Sequence, residues 1–191
     1  MMNRVLNPFR YIAGMRALLL GVVFIVATSL LEWSGGVVQD GYLHFTLKQT
    51  AWVWVLVGDV AMWLLSSLLL WVCGVAFSRS CVRVVDVFGT MAFARLLMLP
   101  MVAPLLLPSM QQLVLMLMES LAMKIDMATS QMAMLSAMGV WTTAWLVLYL
   151  VWSYNAFAVS CNLRGAKAVT IFVVVQLLCV VLGGMLQALI Y

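Results

Sequence analysis

Five apolar stretches, each close to the length that crosses a lipid bilayer as a helix, divide this chain. They lie at about residues 17–31, 50–77, 87–107, 134–157 and 168–190. A bilayer-spanning helix needs about 20 mainly apolar residues. Charged residues make up only 8% of the 191 positions, against about 25% in a soluble domain. We therefore predict an all-α polytopic bundle of five transmembrane spans, forming a single domain over residues 1–191.

The basic residues concentrate at alternate ends of these stretches. Seven of the ten fall at one set of boundaries: Arg4, Arg10, Arg16, Arg79, Arg83, Arg164 and Lys167. Lys48 and Lys124 occupy the other set. Because Lys and Arg close to a span stay on the cytoplasmic side, the pattern predicts a cytoplasmic N-terminus and an outer C-terminus. The formal charge of +4 then indicates orientation and contact with anionic lipid, and we expect no nucleic-acid partner.

Two further segments have the pattern of helices that lie on a membrane surface. Near the N-terminus, Asn7-Pro8 predicts a helix start, after which Phe9, Ile12 and Ala13 share a face that would dip into the interface. Between residues 109 and 130, one helical face is polar from Gln112 to Ser130 and the opposite face is apolar. This periodicity predicts an amphipathic helix on the outer surface.

Asp59 and Arg95 are the two charges that the predicted spans place well inside the membrane. Such a charge costs about 2.5–3.5 kcal/mol at a helix centre, so each needs a partner or contact with water. One hypothesis is an ion or proton site built on this pair. The alternatives are a structural pair that locks the second and third spans together, or an Asp59 that lies near the outer headgroups.

Pro100, Pro104 and Pro108 follow each other at intervals of four residues in the outer half of the third span. Each proline removes a backbone donor and crowds the preceding turn, so the spacing predicts an irregular helix. Freed carbonyl groups can coordinate an ion, as in the broken helices of transporters. Prolines near the end of a span also simply bend or end it.

Other chemistry has weaker support. Methionines at i, i+4 spacing, Met123/Met127 and Met134/Met138, fit Cu(I) binding but equally fit an ordinary apolar helix face. His44 is the only histidine, and the sequence has no nucleophile elbow, HExxH motif or phosphate-binding loop. We therefore predict no enzymatic activity, no catalytic residues, no metal site and no cofactor.

Two stretches, Phe77 to Pro100 and Trp152 to Ala168, have features beyond those of a plain apolar span. In the first, a short polar loop leads into a predicted helix with a small-residue face and a proline near its far end. This stretch resembles the second loop and third span of Yip1-family membrane proteins, and the second stretch is similar to that family's connection between the fourth and fifth spans. The resemblance implies five spans with a cytoplasmic N-terminus.

Eukaryotic Yip1 relatives bind prenylated Rab GTPases and organise membranes of the secretory pathway. This sequence lacks their long cytosolic N-terminal region and its Asp-Leu-Tyr-Gly-Pro-like motif, so the resemblance is to the bacterial branch and implies a bacterial cytoplasmic membrane. We expect a non-enzymatic, membrane-organising scaffold whose partners are the lipid bilayer and either another protein or a second copy. The alternative is a small-solute or ion transporter or channel subunit that uses Asp59 and Arg95.

Overall fold

The computed structural model describes residues 7–78, 80–123 and 128–190. Within them the chain forms six helices: α1 (Gly14–Ser34), α2 (Trp52–Phe77), α3 (Val84–Leu106), α4 (Pro108–Met123), α5 (Thr129–Ser160) and α6 (Gly165–Ile190). A 3₁₀ turn (Pro8–Arg10) precedes α1, and an antiparallel hairpin of β1 (Val37–Gln39) and β2 (Phe45–Leu47) joins α1 to α2. All of these helices except α4 are long and apolar enough to cross a membrane. The predicted all-α class and five candidate spans are therefore confirmed.

The helices are mostly longer than the apolar stretches that predict them. The first was expected at residues 17–31 but α1 includes Glu32, and the fourth was expected at residues 134–157 but α5 begins at Thr129. The others differ by three residues or fewer at each end: residues 50–77, 87–107 and 168–190 became α2, α3 and α6. The prediction ends each span at the first polar residues. Helical hydrogen bonding continues through the polar residues of the interface, so the helices extend further.

The amphipathic helix predicted up to Ser130 is wrong at its C-terminal end. Helix α4 ends at Met123, and Ser130 belongs to α5. A new helix starts here because Ala128 has extended backbone angles and its N–H donates to the side-chain oxygen of Gln131, at 3.1 Å. Over its described residues α4 is amphipathic as expected, with Gln112 exposed and Leu113 buried.

The N-terminal turn packs into the bundle, and the predicted interfacial placement of Phe9 is wrong. Phe9 is only 1% exposed. Its ring meets the rings of Phe93 and Trp152 edge to face, with centroids 6.1 and 5.8 Å away. Packing against other aromatic rings stabilises a buried ring more than a partly hydrated membrane interface does. The predicted amphipathic helix is also wrong: Pro8 begins a 3₁₀ turn of only three residues, and the side chain of Asn7 makes no capping hydrogen bond.

Helices α1 and α3 run in the same direction and share the most extensive helix contact among the described residues. A Cβ placed on Gly21 would lie 2.5 Å from the carbonyl carbon of Ala92 and 2.6 Å from the backbone nitrogen of Phe93. Gly89 is equally close to α1, since its Cβ would lie 2.7 Å from the Gly14 carbonyl oxygen. Small residues thus let these two backbones approach as in other membrane bundles.

The hairpin between α1 and α2 folds into the helical bundle, a placement that the sequence does not predict. Tyr42, in the turn, is 1% exposed, and its hydroxyl lies 3.1 Å from the hydroxyl of Tyr149 on α5. Burial raises the pKa of Tyr42 well above its ordinary value. Gly183 of α6 fits against Tyr42, because a Cβ there would lie 3.2 Å from Tyr42 Cβ. We call this side of the bundle the hairpin end.

Candidate functional site

The structure brings Asp59 and Arg95 together. The Arg95 Nη2 atom lies 3.4 Å from Asp59 Oδ1 and donates a second hydrogen bond to Gln39 Oε1 of β1. Asp59 is 1% exposed, Gln39 1% and Arg95 4%. Helices α2 and α3 are thereby tied to each other and to the hairpin. We call these residues, together with Glu32, the buried polar cluster.

Glu32, like Gln39, belongs to the cluster although the sequence does not predict it there. It lies near the end of α1, is 1% exposed, and is within electrostatic range of Asp59 and Arg95. Two carboxyl groups are therefore within electrostatic range of one guanidinium, and Asp59 is the one that contacts it. In the sequence, Glu32 stands just after the apolar run, where a carboxylate ordinarily faces headgroups or water. Helices α2 and α3 and the first strand of the hairpin pack against α1, and this packing places Glu32 inside the protein.

Hydrogen bonding within the cluster is incomplete. Glu32 Oε2, Asp59 Oδ2 and Arg95 Nη1 are buried and have no hydrogen-bond partner among the described residues. A buried polar atom without a partner costs about 1–3 kcal/mol, and more when it is charged. The cluster thus joins the elements of the hairpin end while keeping polar atoms that a proton or small ion can engage.

The three prolines distort α3 as predicted. The helix is interrupted by 3₁₀ turns at Arg95–Leu97 and Ala103–Leu106, and Pro108 begins α4. Pro104 has no N–H to offer the carbonyl of Pro100, and the indole nitrogen of Trp141 on α5 donates to that oxygen instead, at 2.7 Å. The carbonyl of Pro104 accepts from the N–H of Leu107. In this structure the carbonyl oxygens of Pro100 and Pro104 therefore both accept hydrogen bonds within the protein.

The predicted cytoplasmic cations gather at the opposite end of the bundle. Five of them are described, and all are exposed: Arg10, Arg16, Arg83, Arg164 and Lys167. Arg4 and Arg79 lie outside the described residues, as does Lys124 of the opposite set. We call this side the basic end.

The turn from α5 to α6 shapes the basic end. The N–H of Leu163 donates to the carbonyl of Ala158, the N–H of Asn162 donates to that of Val159, and Asn162 has a φ of 50°. These are the two hydrogen bonds and the left-handed residue of a Schellman motif. Helix α6 then starts at once, so that Arg164 is held between the two helix ends.

Two cavities open at the basic end. The first, of about 490 Å³, is lined by Arg10 of the N-terminal turn, by Tyr154 on α5 and by Asn162 and Arg164 of the turn. The second, of about 480 Å³, lies between the end of α2 and the same turn. There Lys167 Nζ donates to the carbonyl of Phe77 at 3.1 Å and lies over its ring. No acidic residue is among those that line either cavity.

The remaining sequence candidates do not converge. His44 is exposed on the hairpin turn, and its Nδ1 atom lies 2.5 Å from Oδ1 of the half-buried Asp40. Met134 is exposed on α5, whereas Met127 and the side chain of Met123 lie outside what the structure describes. Among the described residues, no group of three or more His, Cys, Asp and Glu side chains is arranged to hold a metal ion.

Comparison with known proteins gives no relative. No family model matches the chain, and neither a curated protein nor a solved structure matches it. The resemblance to Yip1-family proteins therefore gains no support from them. The evidence for function consists of the five long apolar helices, which indicate an integral membrane protein, and the two polar regions at its opposite ends.

Proposed function

We propose that this chain is a non-enzymatic, five-span protein of a bacterial cytoplasmic membrane that organises the membrane by binding a partner at its basic end. The observation that carries the proposal is the contrast between the two polar regions. All five described cations of the basic end are exposed, and three of them, Arg10, Arg164 and Lys167, line open cavities, whereas the charges inside the bundle are sequestered. Exposed charge is available for recognition, and sequestered charge serves mainly to hold helices together.

The positive-inside rule places the basic end at the cytoplasmic surface. Anionic lipids and cytosolic proteins with acidic surfaces meet the membrane there. The two stretches that resemble Yip1-family proteins, Phe77 to Pro100 and Trp152 to Ala168, both contribute to this end. A scaffold of the Yip1 type is thus the kind of protein that we propose.

Recovery of the tagged full chain from native membranes in a mild detergent tests the proposal. We expect a protein partner to be recovered with the parent chain and to be lost from Arg83→Gln/Lys167→Gln, which removes two exposed charges but leaves Arg10, Arg16 and Arg164 to set orientation. Lys48→Gln removes a cation at the hairpin end and should keep the partner. Equal partner yields from the parent chain and the Arg83→Gln/Lys167→Gln variant would contradict the proposal.

A second candidate function, ion or small-solute transport, is favoured by the unequal number of charges in the buried polar cluster. Two carboxyl groups, those of Glu32 and Asp59, lie within electrostatic range of the single guanidinium of Arg95, and each of the three side chains has a buried atom without a hydrogen-bond partner among the described residues. This candidate requires flux in proteoliposomes that Asp59→Asn abolishes without loss of folding. If the parent protein gives no flux and Asp59→Asn lowers stability, the cluster is structural.

A further inference from the structure

The first cavity of the basic end has the donors of an anion site. Arg10 and Arg164 come from sequence-distant segments, the N-terminal turn and the α5–α6 turn, and line the same space. Asn7 and Asn162 line it too. The buried Oδ1 atom of Asn7 has no hydrogen-bond partner among the described residues, and rotation of the amide would place a donor there. Two guanidinium groups without a carboxylate between them favour a ligand that carries the missing negative charge.

Arginine is suited to phosphate because its planar fork can donate two parallel hydrogen bonds to a phosphate group. Both arginines are exposed, so their charges are solvated and neither requires a carboxylate of the protein as a partner. The N–H groups in the first turn of α6 follow Arg164 directly and add a weaker attraction for an anion. Phosphate is thus the group that this donor set fits best.

The surroundings of the cavity favour a lipid over a soluble phosphate compound. Val159, which is 36% exposed, lines the cavity, and Val151 on the same helix and Val169 on α6 are 38% and 47% exposed. Exposed apolar side chains on a membrane-spanning helix face acyl chains. A ligand whose headgroup lies in the cavity can therefore run its tails along α5 and α6.

We propose that the cavity between the N-terminal turn and the α5–α6 turn binds the phosphate of an anionic glycerophospholipid through Arg10 and Arg164. This inference rests on the proposed function, because it identifies one lipid ligand of the basic end. It concerns a cavity that Arg83 and Lys167 do not line. The lipid site and the protein partner are therefore tested by different substitutions, and a negative result for one leaves the other measurable.

The test is a titration of the purified full chain with phosphatidylglycerol in a neutral detergent, with bound lipid counted by native mass spectrometry. Arg10→Gln/Arg164→Gln should weaken binding by about tenfold or more, since two charge-assisted contacts are removed. Arg16→Gln/Arg83→Gln removes two exposed cations of the same end that do not line the cavity. In moderate salt, exposed charges that do not contact the ligand are screened, so the loss should be less than about threefold.

Three controls define the outcome. Phosphatidylcholine should bind less tightly than phosphatidylglycerol, and glycerol phosphate at matched concentration should not displace the bound lipid. If the glutamine variant folds poorly, Arg10→Lys/Arg164→Lys takes its place. It keeps both charges but not the planar fork of arginine, so we expect it to bind phosphatidylglycerol with part of the parent affinity. Equal losses in the two glutamine pairs would overturn the proposal in favour of diffuse charge attraction. Displacement by glycerol phosphate would overturn the lipid as occupant.

Discussion

Replacing Arg95 with Met is expected to lower the free energy of unfolding by about 3–5 kcal/mol, because removing one partner of a buried charge pair leaves the other uncompensated. Arg95 is 4% exposed and donates to both Gln39 and Asp59. Without it, two carboxyl groups, Glu32 and Asp59, remain inside the bundle with no cation from the described residues beside them. The measurement is unfolding of the purified protein in detergent, followed by far-ultraviolet circular dichroism.

Arg83→Met is the matched control for this prediction. It makes the same chemical change on an exposed arginine just before α3. Exposed substitutions usually change stability by no more than about 0.5 kcal/mol. We expect Asp59→Asn to fall between the two, because an asparagine oxygen can still accept from Arg95 and Gln39 stays bound. If Arg95→Met and Arg83→Met are equally stable, the buried polar cluster does not hold the hairpin end together.

Gly21→Ala is expected to destabilise the bundle by about 1–3 kcal/mol, the usual cost of forcing an extra methyl group into a packed core. The added Cβ would meet the backbone of Ala92 and Phe93 at 2.5 and 2.6 Å. Backbone atoms in the middle of α3 cannot turn aside as a flexible side chain can. Helices α1 and α3 would have to move apart, with loss of their packing along the whole contact. Thermal unfolding in detergent measures the effect.

Two other helical glycines provide controls. A Cβ on Gly139 of α5 or Gly184 of α6 meets nothing within 4 Å. Since alanine is the better helix former by about 1 kcal/mol, Gly139→Ala and Gly184→Ala should leave stability unchanged or slightly raised. A Gly21→Ala variant as stable as these two would show that α1 and α3 are not in close contact in the membrane.

The parts of the fold that depend on composition were predictable from sequence. Long apolar runs predicted the five helices, and the prolines predicted the irregular end of α3. Both features depend only on the residues of one segment, through its hydropathy and its backbone hydrogen bonding. The contact between Asp59 and Arg95 was predictable as a hypothesis, since two isolated charges at similar depth need partners.

The missed features all depend on contacts between distant segments. Phe9 looked like an interfacial residue because its own segment is amphipathic, and only its contacts with Phe93 and Trp152 bury it. Glu32 and Gln39 looked like loop residues because they stand outside the apolar runs. The hairpin folds inward, and this brings both into the buried polar cluster. Local periodicity carries no information about such placement.

The central claim is that the basic end faces the cytoplasm, and Cys81 offers the most direct measurement of it. Cys81 is exposed in the connection between α2 and α3. Cys161, at the same end, is fully buried, and burial raises the pKa of its thiol to about 12, so it should not react near neutral pH. Cys73 and Cys179 lie inside α2 and α6.

The measurement is labelling with a membrane-impermeant maleimide on intact spheroplasts and on inverted membrane vesicles from bacteria that express the chain. We predict that Cys81 reacts in inverted vesicles only, and that Cys81→Ser removes the label. Reaction in intact spheroplasts would place the basic end outside and would contradict the proposed orientation, and with it the proposed cytoplasmic partner.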